Sequence, residues 1–182
     1  MFCNVLPARD VIECDVAIVG AGPSGLSSAI RMKQLKPDLE VVMIEKGAEV
    51  GAHILSGNVF ETKAMDELLP NWRDMDSPIK TPALEDKFYV LTEKKAYTVP
   101  HFLLPKTLHN KGNYIISLSD VCKWLGEQAE ELGVEIYPGF AANEILYNEA
   151  GYVEGVATGD MGIGKDGSQT ENYTRGIEIK AK

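Results

Sequence analysis

Residues 19–25 read VGAGPSG, three glycines spaced GxGxxG between two apolar segments. Such a motif carries meaning only when a strand runs into it and a helix leaves it, so its neighbours decide the fold. Upstream, Asp15 to Val19 (DVAIV) is a short apolar run closed by glycine, the pattern of a parallel strand covered on both faces. Downstream, Leu26, Ala29, Ile30 and Lys33 recur at helical spacing, Pro23 suits the first turn and Pro37 forbids continuation; together they predict a helix from Ser24 to about Lys36. Glu40 to Ile44 (EVVMI) is again β-branched and apolar. Strand, helix and strand within about thirty residues make a βαβ unit with a right-handed crossover.

In that setting each glycine has its own task. Gly20 permits the tight turn, Gly22 leaves room for a pyrophosphate against the backbone, and Gly25 lets the helix pack on the strand, with Ala29 keeping the contact close. The helix amino terminus offers unpaired N–H groups and a positive dipole end, so an acidic chain can bind a diphosphate without a lysine cluster. Glu45 ends the second strand, where a carboxylate accepts both hydroxyls of an adenosine ribose and repels a 2′-phosphate, which argues against NADP. NAD and FAD share this half-site.

The βα rhythm breaks and then resumes. Glu61 to Leu69 reads as a short helix ended by Pro70, followed by a polar loop to Asp86 and a hairpin in which FYVLT and AYTVP flank Glu93, Lys94 and Lys95. Ser119 is the expected cap of a helix with Val121, Leu125, Ala129 and Leu132 on one face and Gly133 as its stop; VEIY follows as a strand. NEILY, a turn at 148–151, YVEGVAT and GIEIKAK form an antiparallel meander, with 159–175 as a long hairpin loop. The expected organisation is one domain over 1–182: a βαβ motif at 14–60, an inserted hairpin region at 86–116 and a meander at 143–182. Trp124, at helical spacing, is expected in the core.

Composition narrows the function. The chain has 182 residues, 45% of them hydrophobic, enough for one core. Its 27 acidic and 18 basic residues give a net charge of −9, and no basic cluster interleaved with aromatics is present, which excludes nucleic acid as a partner. No apolar run reaches membrane-spanning length, and MFCNVLPARDVIECD lacks the pattern of a signal peptide. Cys3, Cys14 and Cys122 show no metal-binding or disulfide spacing and are expected as reduced intracellular thiols. His53, His101 and His109 form no metal or nucleophile pattern, and no Ser/His/Asp or paired-carboxylate site is apparent. We therefore expect no metal site and no catalytic side chain, because a bound dinucleotide cofactor carries redox chemistry itself.

The flavin enters through a second permissive segment. In EKGAEVGAHILSG (45–57), the small residues Gly47, Ala48, Gly51, Ala52, Ser56 and Gly57 let backbone lie against something flat, as a flavin ring is. With VGAGPSGLSSAIRMKQL, TPALEDKFYVLTEKKAYTVP, HNKGNYIISL, WLGEQAEELGVEIYPGFAANEILY and GVATGDMGIGKDG, this segment closely resembles the electron transfer flavoprotein:ubiquinone oxidoreductase family from about Asp15 to the last residue.

The resemblance implies a membrane-associated flavoenzyme that takes electrons from reduced electron transfer flavoprotein, through FAD and an iron–sulfur cluster, to ubiquinone. It implies a Rossmann-like, glutathione reductase-type FAD-binding fold, with a parallel sheet, a β-meander and an inserted hairpin. By it, Gly20, Gly22, Pro23, Ser24 and Gly25 hold the pyrophosphate and Glu45 the ribose. Lys46 with Gly51, Ala52, His53, Ser56 and Gly57 runs along the diphosphate and ring, and Ala142 offers backbone to adenine. It places the intact enzyme peripherally on a bacterial plasma or mitochondrial inner membrane and brings the inserted hairpin near the lipid. Phe102, Leu103 and Leu104, in the apolar stretch from Tyr97 to Leu104, are then expected to touch lipid or a quinone domain.

Departures matter too. Family members continue past the position of Lys182 into a Gly-Asp segment that grips the flavin; Gly159-Asp160 lies in a hairpin loop and does not replace it. The cluster cysteines and most of the quinone region also lie further along, so the chain reads as an incomplete, amino-terminal portion, inactive and soluble by itself. Related flavoproteins place an arginine near the start of the helix at Ser117 to Ser119, and none is present here. Two other readings share the glycine motif: a flavin-dependent reductase or hydroxylase of isoprenoid or aromatic substrates, and a noncatalytic folded fragment.

Overall fold

The apolar runs flanking the glycine turn form a strand and a helix in a computed structural model that describes residues 8–182. Cys3 lies outside the described residues. In chain order the first elements are β1 (Val11–Cys14), β2 (Val16–Val19), α1 (Pro23–Leu35) and β3 (Val41–Glu45). Next come β4 (Ser56–Phe60), α2 (Lys63–Leu68), β5 (Thr81–Pro82), β6 (Phe88–Leu91) and β7 (Ala96–Val99). Two 3-10 turns, His101–Leu103 and Lys106–Leu108, lead to β8 (Tyr114–Ser117), α3 (Leu118–Glu131) and β9 (Val134–Pro138). The chain ends in β10 (Ala142–Tyr147), β11 (Val153–Thr158), β12 (Met161–Ile163), β13 (Gln169–Thr174) and β14 (Glu178–Ala181). Two compact units result: the residues up to His53 with Leu125–Lys182, and Ile54–Trp124.

The first unit is built on a parallel sheet of order β2-β3-β9. Val41, Val42, Met43 and Ile44 of its central strand are all buried, as a strand covered on both faces requires. Alternation sends Val42 and Ile44 to one face, where they pack with Cys14 and Ile179 and, among others, Tyr137 and Phe140. α1 touches all three parallel strands through a stripe that buries Leu26, Ala29 and Ile30. Lys33, read as part of that stripe, is buried for a different reason: its Nζ donates to the carbonyls of Pro37 (2.6 Å) and Leu39 (3.0 Å) just past the helix end. Trp124 is buried, as expected.

A second sheet of order β1-β14-β11-β10 contains the meander. β1 was not expected; its four residues pair in parallel with β14, nearly the whole chain away. The stretch 159–175, expected as a loop, is itself an antiparallel hairpin of β12 and β13. Both strands are mostly exposed and β13 is polar, so backbone pairing rather than burial makes it a strand pair. The α3 cap is also shifted from expectation: Ser117, not Ser119, takes the Asp120 N–H, at 3.4 Å.

In the second unit β4, β8 and β5 form an antiparallel sheet, none of whose strands was expected, β5 lying in the stretch read as a loop; β6 pairs with β7 as the expected hairpin. Met65, Leu69, Trp72, Ile79, Ala83, Ile116, Val121, Cys122 and Trp124 are the unit's buried apolar residues. Trp72 is 1% exposed, meets Tyr114 edge to face at 5.6 Å and lies 4.3 Å beneath the Arg73 guanidinium. Asp66 fixes this corner by accepting from Arg73 Nη1, Trp72 Nε1 and Thr62 Oγ1. These donors, Arg73 first and then Trp72, hold its carboxyl at about 2 against the ordinary 3.8.

A depressed carboxyl pKa stabilises the fold at neutral pH, and the contribution disappears as pH falls from about 4 toward about 2. Urea midpoints followed by tryptophan fluorescence should therefore decline over that window, and Asp66→Asn should flatten the decline.

Candidate functional site

The carboxyl ends of β2, β3 and β9 carry the three loops that build the site. At the first, Gly20 has φ +101°, a conformation that strongly favours glycine, and its N–H donates to Ile44 O across the sheet at 2.8 Å. Gly22 caps α1 without a side-chain partner, and its carbonyl accepts the first helical bond from Leu26 N at 3.0 Å. Pro23 has no N–H, so Ser24 and Gly25 carry the donors that α1 itself leaves unpaired. No acid stands in the first turn to neutralise the positive end of this 13-residue helix.

The two remaining glycines differ in cause. A Cβ on Gly25 would lie 2.2 Å from Gly20 O and 3.2 Å from Ile18 Cγ2, so both the loop and β2 exclude a side chain there. A Cβ on Gly22 would meet nothing within 4 Å, and its φ of −85° suits any residue. The fold itself does not require glycine at 22.

At the end of β3, Glu45 Oε2 accepts from Ala21 N at 2.9 Å and Oε1 from Gly47 N at 2.7 Å. Each carboxylate oxygen carries two lone pairs, which leaves capacity for further donors such as vicinal hydroxyls. The third loop joins through Phe140 N to Glu45 O (3.0 Å) and Gly139 N to Gly47 O (2.7 Å). Between these loops lies a cavity of about 200 Å³, lined among others by Val19, Glu45, Lys46, Phe140 and Ala142. That is below the ~300–1,000 Å³ typical of whole ligand pockets, and suits one nucleoside half of a larger ligand.

Of the site residues read from the sequence, Gly20, Gly22, Pro23, Ser24, Gly25, Glu45, Lys46 and Ala142 gather at these strand ends. Gly51, Ala52 and His53 follow in the same unit on a tight turn, with Ala52 N donating to Glu49 O at 3.3 Å. Ser56 and Gly57 are exposed at the start of β4, in the second unit. Sequence reasoning missed Gly47 and Phe140 as hydrogen-bond partners of Glu45, and Gly139 as the partner of Gly47. The signal for Gly139 and Phe140 was the Pro-Gly after VEIY, where Gly139 takes φ +85°. Among the described residues no cluster of three or more His, Cys, Asp or Glu is placed to hold a metal. None of the helices there is long and apolar enough to cross a membrane.

Residues 6–117 match the Thi4 family. The chain is 56% identical over 97% of its length to the mitochondrial electron transfer flavoprotein-ubiquinone oxidoreductase of Dictyostelium discoideum. It is 54% identical over 96% to the probable enzyme of the same name in Acinetobacter baylyi. The chain spans only 29% and 32% of those two relatives. A geranylgeranyl bacteriochlorophyll reductase-like protein from Thermoplasma acidophilum aligns with TM-score 0.65 at 20% identity, over 94% of this chain and 38% of that one. This likeness agrees with the Rossmann-like class of fold read from the sequence.

Gly25→Ala forces a methyl group into the Gly20 carbonyl and should lower stability by about 1–3 kcal/mol in urea unfolding.

Proposed function

The chain belongs to the Thi4 family, and on that premise we propose that it holds FAD at the carboxyl ends of β2, β3 and β9. We read it as the flavin-carrying portion of an oxidoreductase that passes electrons from reduced electron transfer flavoprotein to ubiquinone. The names of the curated relatives support this donor and acceptor. Bound flavin supplies the electron-transfer chemistry itself.

The chain's own residues bind and orient. Ser24 and Gly25 N–H groups, with the positive end of α1, take the diphosphate, and Gly22 lets it approach. Glu45 accepts the ribose hydroxyls with the lone pairs that Ala21 and Gly47 leave free. Ala142 and the cavity beside Phe140 receive the adenine. Lys46 flanks the diphosphate, and Gly51, Ala52 and His53 lie toward the ring. No iron–sulfur ligand set is assigned to this chain. The observation that carries the reading is Gly22, the glycine that its own fold does not need.

Gly22→Val should leave far-UV circular dichroism and the urea midpoint unchanged while abolishing the flavin absorbance of chain purified in the presence of FAD. Undiminished FAD affinity in this variant, or no flavin uptake by the unmodified chain, would sink the reading. Reduction of bound FAD by reduced electron transfer flavoprotein tests the donor separately.

For location we propose peripheral attachment to a bacterial plasma or mitochondrial inner membrane, with Phe102, Leu103 and Leu104 reaching the lipid. Phe102 and Leu103 are exposed and Leu104 is half-buried. Replacing all three with serine should lower liposome flotation about tenfold or more, given the transfer free energy of large apolar side chains. Flotation equal to that of the unmodified chain would exclude this contact.

A further inference from the structure

The hairpin of β6 and β7 is exposed on both faces. Successive side chains of a strand point to opposite faces, yet Phe88, Tyr89, Val90 and Leu91 are all exposed along β6. Tyr97 is exposed on β7, and the turns that follow add Phe102, 82% exposed, Leu103, 64% exposed, and Leu108. A two-stranded hairpin alone in water is marginal, and apolar surface concentrated in this way marks a contact.

Charge is segregated with it. Residues 87–111 contain five lysines and a single acid, Glu93, in a chain of net charge −9, so the acidic excess lies wholly outside this segment. Lys87 is paired with Glu85 at 3.0 Å, whereas Lys94 and Lys95 at the hairpin tip and Lys106 make no ion pair among the described residues.

We propose that this surface docks on a bilayer containing anionic lipid, with Lys94, Lys95 and Lys106 selecting the anionic headgroups. The inference rests on the membrane contact proposed above and adds headgroup selectivity to it. A protein partner would cover one face of a hairpin, whereas a bilayer interface surrounds both. Lysine stems can lie along the apolar surface while their ammonium groups stay among headgroups. Each such lysine raises affinity for an anionic surface about fivefold, and the acidic remainder of the chain is repelled from it, which fixes orientation.

Flotation of the 182-residue chain with vesicles of phosphatidylcholine alone, or of phosphatidylcholine with phosphatidylglycerol, tests this. Binding should be stronger to the second and should weaken with added salt. The K94Q/K95Q variant should lose about 25-fold on phosphatidylglycerol vesicles and nothing on phosphatidylcholine. It should remain folded, because the turn is closed by Lys95 backbone groups, with Thr92 N donating to Lys95 O (2.8 Å) and Lys95 N to Thr92 Oγ1 (3.1 Å). Equal binding to both vesicles, or K94Q/K95Q binding like the unmodified chain, overturns the selectivity and leaves the membrane contact standing. Flotation with neither vesicle, the result expected of a surface made for another protein, overturns both. FAD absorbance, read on the same samples, reports separately on the flavin reading.

Discussion

Glu45 ends β3 with one carboxylate oxygen accepting from Ala21 N, the other from Gly47 N, and its own carbonyl accepting from Phe140 N. One residue thus ties together loops from three parallel strands. Bonds to an ionised acceptor are stronger than neutral ones, and two of them with different donors leave the carboxylate little rotational freedom. The group proposed to recognise a ribose is therefore oriented by the protein before any ligand arrives. The reorganisation that binding a ribose there would need is correspondingly small.

That junction is only as fixed as the strands that bring it together. β3 lies between β2 and β9, and its buried run from Val41 to Ile44 is anchored on both faces. One face packs on Ile179 and Cys14; burial raises the Cys14 thiol above its ordinary pKa, so this cysteine behaves as a small apolar side chain and not as a nucleophile. α1 touches the sheet and meets it closely at Gly25, so the amino-terminal donors of the helix are positioned by the same packing that holds Glu45.

Local pattern made the βαβ unit legible. DVAIV, EVVMI and the stripe through Leu26, Ala29 and Ile30 each announce themselves within a few residues, and GxGxxG with Glu45 is a spacing within one such unit. What escaped is non-local. β1 has four residues and no periodicity to speak of; it is a strand because β14 lies beside it. Gln169 to Thr174 is polar throughout and pairs through its backbone. Lys33 sits on the apolar face because carbonyls after the helix capture its ammonium group. Phe140 joins Glu45, and Gly139 joins Gly47, only because β9, distant in sequence, adds beside β3.

An acidic chain with a proposed anion site looks contradictory only if net charge is taken as the relevant quantity. Charges separated by more than about 8 Å are largely screened at physiological salt, so most of the acidic excess is invisible at the mouth of α1. Within contact distance the account differs: Ser24 and Gly25 offer N–H donors, the first turn holds no acid, and the carboxylate of Glu45 is already engaged by Ala21 and Gly47. Both of its oxygens are thereby held by backbone N–H groups at the strand ends. A single fold element can then present an acceptor for hydroxyls and donors for a diphosphate side by side, which is the pairing that an adenine dinucleotide requires.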